Sequence, residues 1–283
     1  GTQMNYKIVI DSCGELPEDL KKDARFETIP LTLMVDEVNI IDDETFDQKD
    51  FIRRVSESPH SPKSACPSPE RYMQSYKGDY ECVFVITLSE QLSGSYNSAF
   101  LGKELYFEEV GKNTKIHVFN SRSASIGQTL IALKVKELIE QGKEFEEIVS
   151  TTEAFIGEME TFFVLETLET LRKNGRLTNI QAILASVLNI KPVMGATKEG
   201  TIYKIDQARG ITKALAKMID VIQEKAKNAE NKILAISHCN CPERAAYVKE
   251  QILKYMKVKD IIVLDSSGVT TMYANDGGIV VAI

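Results

Sequence analysis

The stretch from Cys82 to Ala99 constrains the fold more than any other part of this chain. It opens with the apolar run Val83–Ile86, which has the length and the branched side chains of a buried parallel strand. A serine-rich turn follows, and apolar residues at helical spacing begin at Tyr96. A strand that passes through a small-residue loop into a helix exposes backbone N–H groups at the carboxyl edge of a sheet, where α/β folds bind anions. Ser93 and Ser95 can donate to a carboxylate or phosphate, and Gly94 allows a ligand to approach the backbone.

Strands alternate with helices up to about residue 158, which predicts an α/β fold with a mainly parallel sheet. Beyond that point the strands lie closer together, which is typical of an α+β arrangement with antiparallel pairs. We therefore expect two domains, residues 4–158 and 159–283. Within them the pattern predicts one strand over Phe26–Val35, a loop over the proline-rich Ser56–Pro69 and an apolar helix over Asn179–Leu188.

Bulk properties narrow the function classes. The chain has 283 residues, 27% of them charged, and a net charge of -7, so nothing suggests a nucleic-acid partner. No apolar run reaches the roughly 18 residues that span a bilayer, and no apolar signal core is visible, so we expect a cytoplasmic protein. The five cysteines, an odd number, favour reduced thiols, and His238-Cys239-Asn240-Cys241 lacks a second ligand cluster for zinc. We expect no metal and no cofactor.

Motifs for nucleotide binding, zinc proteolysis and the α/β-hydrolase elbow are missing from the sequence. The alternative that remains is a serine hydrolase or acyltransferase that uses Ser93, which would need a base such as His60 held beside it. A regulatory interaction protein is a further alternative. Asp42-Asp43 is interpreted as a solvated turn rather than a metal site.

The simpler interpretation of each candidate residue is structural. Ser93 or Ser95 could cap the following helix, and Ser64 could satisfy a turn. Arg209 could pair with Asp206, and Arg176 could be solvated at the surface. Taken together, however, these hydrogen-bonding groups without an activated nucleophile indicate a site for an anionic head group. Apolar segments such as Leu31–Val35 and Ile183–Leu188 would line a pocket for its tail.

A series of motifs in this order resembles the DegV family of bacterial fatty-acid-binding proteins, from Met4 over nearly the whole chain. The opening strand with its Asp-Ser, the Pro-Lys-Ser segment and the Leu-Ser-Gly loop are the most specific of them. The matching segments are KIVIDSCGELPEDL, PKSACPSPERY, LSGSYNSA, VFNSRSASIGQ, LETLRKNGRL and LNIKPVMGATKEGTIYKIDQARG.

The resemblance implies a Rossmann-like first domain, a second domain with a mainly antiparallel sheet, and one long-chain, palmitate-like fatty acid in an apolar tunnel. It implies a carrier that is not an enzyme and that presents the acid to a fatty acid kinase. Ser64 and Ser93, with the Gly94 backbone, would bind the carboxylate, and Arg209 would support that network. Arg176 lies in the turn that the family uses for kinase docking.

The chain departs from the family pattern in three places. Tyr273 stands where the family has a histidine, and it can donate a hydrogen bond but is neutral at physiological pH, with a reference pKa of about 10. Ala65-Cys66 replaces Ser-Gln, and Asn174 replaces a glycine.

Overall fold

A four-stranded parallel sheet forms the core of the first half of the chain. The computed structural model describes residues 4–177 and 189–283. The sheet has the order β2-β1-β6-β7, and each neighbouring pair is parallel. Its strands are β1 (Tyr6–Asp11), β2 (Phe26–Ile29), β6 (Cys82–Thr87) and β7 (Lys115–Asn120). The order of connection reverses between β1 and β6, so the loops after these two strands border the crevice where such sheets bind ligands.

Helices cover both faces of this sheet. Two of them begin at side-chain caps, because Asp47 accepts from the amide of Asp50 and Ser68 accepts from the amide of Arg71. The helices are α1 (Glu18–Lys21), α2 (Gln48–Glu57), α3 (Pro69–Tyr76), α4 (Ser95–Glu109), α5 (Ile126–Glu140) and α6 (Phe145–Glu158). Phe84, Ile86 and Phe119 belong to the buried cluster beneath α5 and α6.

The single strand expected over Phe26–Val35 is wrong. β2 ends at Ile29, Pro30 interrupts the ladder, and β3 (Thr32–Val35) belongs to a separate sheet. In this small sheet β3 lies between β4 (Val38–Ile41) and β5 (Lys63–Ala65) and pairs antiparallel with both. β5 lies inside the proline-rich stretch that was expected to be a loop.

The second half of the chain forms a six-stranded sheet of order β10-β9-β8-β13-β11-β12. All neighbours are antiparallel except β11 and β12, which confirms the mainly antiparallel expectation. The strands are β8 (Thr161–Val164), β9 (Ile190–Ala196), β10 (Ile202–Arg209), β11 (Ile233–His238), β12 (Asp260–Asp265) and β13 (Ile279–Ala282). The helices are α7 (Glu169–Lys173), α8 (Ile211–Lys225), α9 (Pro242–Tyr255) and α10 (Gly268–Ala274).

Helices α8 and α9 bury one face of this sheet, where Leu215, Met218 and Val248 pack on Phe162 and Ile236. The opposite face meets α5 and α10. The helix expected over Asn179–Leu188 lies outside the described residues. None of the helices in the described part of the chain combines the length and the apolar character that a bilayer crossing requires.

Candidate functional site

The serine-rich turn after β6 is anchored at both ends by one buried carboxylate, that of Asp11. Its Oδ2 accepts from the Leu88 amide at 2.7 Å and from the Ser95 hydroxyl at 2.8 Å. Its Oδ1 accepts from the Gln128 side chain at 3.0 Å and from the Cys13 amide at 3.2 Å. Burial raises the pKa of this carboxyl, and the four hydrogen bonds oppose that rise. The last residue of β1 therefore fixes the shape of residues 88–95, which we call the serine loop.

Ser93, Gly94 and Ser95 have different roles in the serine loop. The Ser93 oxygen accepts from the Ser95 amide at 3.1 Å, and within residues 4–177 and 189–283 its proton has no hydrogen-bond acceptor. Gly94 precedes α4 and is exposed, and no side-chain cap closes this helix. Ser95 is fully buried, and Tyr72 approaches its oxygen at 2.5 Å from the side opposite Asp11. The hydroxyl of Ser95 thus has two partners inside the protein, and its contact with a ligand stays a prediction.

Ser64 and Tyr273 meet although 209 residues separate them, since their hydroxyl oxygens are 2.9 Å apart. Ser64 lies on β5, where it pairs with Leu33, and it therefore belongs to a strand rather than to a turn. Tyr273 lies in the last turn of α10. The resemblance implies Ser64 as a carboxylate ligand, and Tyr273, which replaces the family histidine, can donate a hydrogen bond; the structure places the two hydroxyls in contact, and their binding of a carboxylate stays a prediction.

Cys66 connects this hydroxyl pair to the serine loop. Its Sγ lies 3.1 Å from the position that a Cβ on Gly94 would occupy, and 4.0 Å from the Ser98 hydroxyl of α4. The segment of Ser64 and Cys66 thus passes directly over the start of α4. Ser64 and Gly94 consequently lie on facing segments at one edge of the parallel sheet.

An apolar cavity extends inward from Tyr273. The centre of a water-sized sphere can occupy about 100 Å³ of this cavity. A cavity that holds a single water needs only about 10–15 Å³ by the same measure. Tyr273, Arg176 and Thr270 contribute to its wall beside a larger set of apolar side chains. That set includes Leu92, Phe163, Leu165, Leu171, Val269 and Val280. The cavity lies between the serine loop, α10 and the second sheet, where an acyl chain would be shielded from water.

Arg176 also lines this cavity and closes one side of it. Its Nε donates to the Leu92 carbonyl of the serine loop at 2.5 Å, and its Nη1 donates to the Asn174 carbonyl. The side chain is half-buried, so it is not simply solvated at the surface. The adjacent Gly175 has a φ of +73° and open space around its Cβ position.

Arg209 belongs to a different element, β10. It is exposed at the end of β10, where it pairs with Ile190 of β9, and it is not among the described residues that line the cavity. Its predicted support of the carboxylate network stays a prediction. The alternative pairing with Asp206 competes with Lys217, which lies 4.0 Å from that carboxylate.

The requirements of a serine hydrolase are not met at Ser93 within residues 4–177 and 189–283. His117 contacts Glu153 at 3.0 Å, His238 accepts from the Cys241 amide, and His60 is exposed beside Ser58. None of these imidazoles hydrogen-bonds to Ser93. The described residues also contain no cluster of three or more His, Cys, Asp or Glu side chains that could hold a metal ion.

Two further buried carboxylates accept hydrogen bonds from the start of α10, and the sequence alone did not predict this role for either of them. Glu15 accepts from the Ser267 amide at 3.0 Å and from the Thr270 hydroxyl at 2.8 Å. Asp42 accepts from the amides of Gly268 and Val269 at 3.0 and 2.9 Å. Burial raises the pKa of both carboxyls, that of Asp42 to about 6. The solvated turn expected at Asp42 is therefore wrong, because this side chain is buried at the start of α10.

Known proteins resemble this chain over nearly its whole length. The profile of the family described as "Uncharacterised protein, DegV family" matches residues 5–283. A DegV domain-containing protein of Streptococcus gordonii is 35% identical over 282 residues, and one of Streptococcus pneumoniae R6 is 34% identical over 279 residues. Each alignment covers 98% of both chains.

Solved structures agree with this result. A DegV family protein from Ruminococcus gnavus, refined with vaccenic acid, has a TM-score of 0.97 and 51% identity, covering 99% of this chain and 100% of its own. The fatty acid kinase B3 protein of Streptococcus pneumoniae, loaded with linoleic acid, has a TM-score of 0.90 and 31% identity, with 99% of each chain covered. A DegV family protein from Eubacterium eligens, loaded with heptadecanoic acid, has a TM-score of 0.89 and 27% identity, with 98% of each chain covered.

Proposed function

This chain belongs to the DegV family, and from that premise we propose that it binds one long-chain, palmitate-like fatty acid. The acyl chain occupies the apolar cavity beside α10. The carboxylate lies at the mouth of that cavity and accepts hydrogen bonds from Ser64, Tyr273 and Ser93, with the Gly94 backbone close by. Ser95 acts behind them by holding the serine loop, and Arg209 supports the network.

The observation that carries this proposal is the hydroxyl pair of Ser64 and Tyr273 beside an apolar cavity. The two hydroxyls share one hydrogen bond, so one of their protons remains for an outside acceptor. Ser93 accepts from the Ser95 amide, and a hydroxyl that accepts one hydrogen bond can still donate its proton to a ligand. A carboxylate is an acceptor only, and hydrogen bonds to an ionised acceptor are shorter and stronger than those between neutral groups.

The ligands of related proteins support the choice of an acyl chain. The Ruminococcus gnavus protein, 51% identical to this chain, was refined with vaccenic acid. The heptadecanoic and linoleic acids of the other two proteins are also long-chain acids. A cavity with apolar walls and polar groups at one end is the usual form of a site for such amphiphiles.

We propose that the protein is a carrier and not an enzyme. A serine nucleophile needs a base within hydrogen-bond reach and a group that orients the base. Among the described residues, the Ser93 hydroxyl instead pairs with the Ser95 amide, and the three histidines contact other residues. Incubation with p-nitrophenyl palmitate should therefore release no nitrophenol above the buffer rate. Turnover that Ser93→Ala abolishes would favour the hydrolase.

A fatty acid kinase is the proposed partner, because the Streptococcus pneumoniae relative is a fatty acid kinase B protein. The turn from Asn174 to Arg176 is the proposed docking point. Open space around Gly175 leaves this turn accessible. Because Arg176 also lines the cavity, each variant is compared only after mass spectrometry shows equal loading with fatty acid. The pneumococcal kinase should then form acyl phosphate with the wild type and much less with Arg176→Ala, whereas Arg172→Ala, on the exposed face of α7, serves as the control.

The division into domains of residues 4–158 and 159–283 and a cytoplasmic location are also proposals. The first boundary falls between α6 and β8, where the chain passes from the parallel sheet to the second sheet. Limited proteolysis and fractionation of the source cells would test them.

Native mass spectrometry of protein purified from bacteria tests the main proposal. We expect one fatty acid per chain, removed when the protein is denatured and identified by its mass in the extract. Delipidated protein should take up palmitate with the same stoichiometry. Protein that carries no lipid and takes up none would contradict the proposal.

A further inference from the structure

The small sheet of β3, β4 and β5 contacts α10 near both of its ends. Asp42, which directly follows β4, accepts from the first two amides of the helix, Gly268 and Val269. Ser64 of β5 meets Tyr273 in its last turn. Both outer strands pair with β3 and not with each other, so β3 sets the distance between these two contacts.

The contact at the first end is close and specific. A Cβ on residue 268 would lie 2.5 Å from Oδ1 of Asp42, so only glycine permits this approach. The two carboxylate oxygens take one amide each, at 3.0 and 2.9 Å. An ionised carboxylate can satisfy both donors, whereas a protonated carboxyl has one oxygen that becomes a hydroxyl donor.

Helix α10 transmits this contact to the candidate site. Val269, Thr270, Tyr273 and Ala274 all line the cavity. With only seven residues, the helix has few internal hydrogen bonds, and its orientation depends on what its ends contact. We propose, building on the proposed function, that Asp42 is a positioning residue for fatty acid binding: its ionised form holds α10 so that Tyr273 reaches Ser64, and its protonation weakens the binding of the ligand.

Asp42 lies among other ionisable groups at this end of α10. Glu15 is the charged group whose field acts on Asp42, and it approaches the helix from the loop after β1. The other ionisable groups near the helix include Cys13, Asp43, Cys239 beside Ser266 and Thr271, Asp265 with His238 at 3.8 Å, Arg176 and Tyr273. Burial and Glu15 both favour the protonated form of Asp42, so its pKa of about 6 lies within the range that an assay can cover.

Protonation of Asp42 should affect the placement of α10 and the stability of the fold in opposite ways. The proton relieves the burial of a charge, so it favours the folded state. It also withdraws one acceptor from the amides of Gly268 and Val269, so it loosens the hold on α10. A residue with a purely structural role would change stability and affinity in the same direction.

The test measures the Kd of cis-parinaric acid, a fluorescent long-chain acid, between pH 8 and pH 5. Asp42→Asn mimics the protonated form, and Asp43→Asn, in the next residue, is the matched control. The loss of one charge-assisted hydrogen bond predicts that Asp42→Asn raises Kd about tenfold at pH 8. We expect this ratio to the wild type to fall to about twofold or less at pH 5, where the wild type is itself protonated. The ratio cancels the titration of the ligand.

The route through Tyr273 is tested by a double-mutant cycle. In a Tyr273→Phe background, Asp42→Asn should change Kd by less than about twofold at pH 8, because the group it positions is absent. A ratio that is constant with pH, or an effect of Asp42→Asn that is equally large without the Tyr273 hydroxyl, would overturn the inference while fatty acid binding remains intact. A wild type that binds no acid at any pH would instead overturn the proposed function, and this inference with it.

A second comparison does not depend on the folding of the Asp42 variant. The ratio of Kd for Tyr273→Phe to that of the wild type should itself decrease from pH 8 to pH 5, since protonated Asp42 no longer positions the tyrosine. A ratio that stays the same over this range would overturn the inference.

Discussion

Replacing Asp11 with alanine should destabilise the protein and disorganise the serine loop together. Asp11 is fully buried and accepts four hydrogen bonds, from Leu88, Ser95, Gln128 and Cys13. Alanine offers none of these donors an acceptor, and the space it leaves lies within the core.

The expected magnitude follows from the four donors. A buried donor without a partner costs about 1–3 kcal/mol. The lower limit applies here, because burial raises the pKa of Asp11 and the variant no longer buries a charge. Four donors at this limit give a loss of about 4 kcal/mol in the free energy of unfolding. For a chain of this size, that corresponds to a fall in Tm of about 7 °C.

The assay is urea unfolding followed by circular dichroism, with calorimetry for Tm. Asp220→Ala is the control, since Asp220 is exposed on α8, and it should change the free energy of unfolding by less than about 0.5 kcal/mol. Fatty acid binding to folded Asp11→Ala should also be weaker, because both ends of the serine loop have lost their anchor. An Asp11→Ala protein within about 1 kcal/mol of the wild type would refute this reasoning.

Three other predictions concern single groups. Asp42 has a folded pKa of about 6 against 3.8 for an ordinary carboxyl, so it contributes stability that is present below about pH 4 and lost as pH rises through 6. Urea titrations at pH 4 and 7 should therefore show the wild type losing about 2 kcal/mol relative to Asp42→Asn, since the unfolded carboxyl is already about half ionised at pH 4. Cys66 is exposed and the other four cysteines are buried, so Ellman's reagent should modify one thiol quickly, and a Cys66→Ser protein that keeps a fast thiol would contradict this assignment. Gly94→Val would place its Cβ 3.1 Å from the Cys66 sulfur. Its additional methyl groups should crowd the mouth of the cavity, so palmitate binding should weaken about tenfold. Unchanged affinity by calorimetric titration would count against a carboxylate site there.

The strand, loop and helix around Ser93 could be predicted because their signals are local. A β-branched run, a small-residue turn and a helical period lie within 18 consecutive residues of Cys82–Ala99. The antiparallel second sheet was also predictable, since its strands follow one another closely. Pro30 itself is the sequence signal for the break between β2 and β3, but it lies inside the apolar run Phe26–Val35, which favours a single strand.

The hydrogen bonds from Asp42 and Glu15 that fix α10 could not be predicted, because these residues lie far from the helix in the sequence. The helix has the sequence GVTTMYA, whose β-branched residues favour a strand by propensity. Ser267 caps the helix locally by accepting from the Thr270 amide, and Asp42 and Glu15, more than 220 residues earlier, accept from the Gly268 and Ser267 amides at its start. The strand β5 likewise exists only through its pairing with β3. Such contacts between distant segments leave no periodic pattern in the sequence.

A crystal structure of the protein loaded with palmitate tests the central claim most directly. We expect the carboxylate to lie within hydrogen-bond distance of the Ser64, Tyr273 and Ser93 hydroxyls, about 2.5–3.0 Å, and the acyl chain to pass Phe163, Leu165 and Val280. A carboxylate in solvent, or an acyl chain outside the cavity beside α10, would contradict the claim.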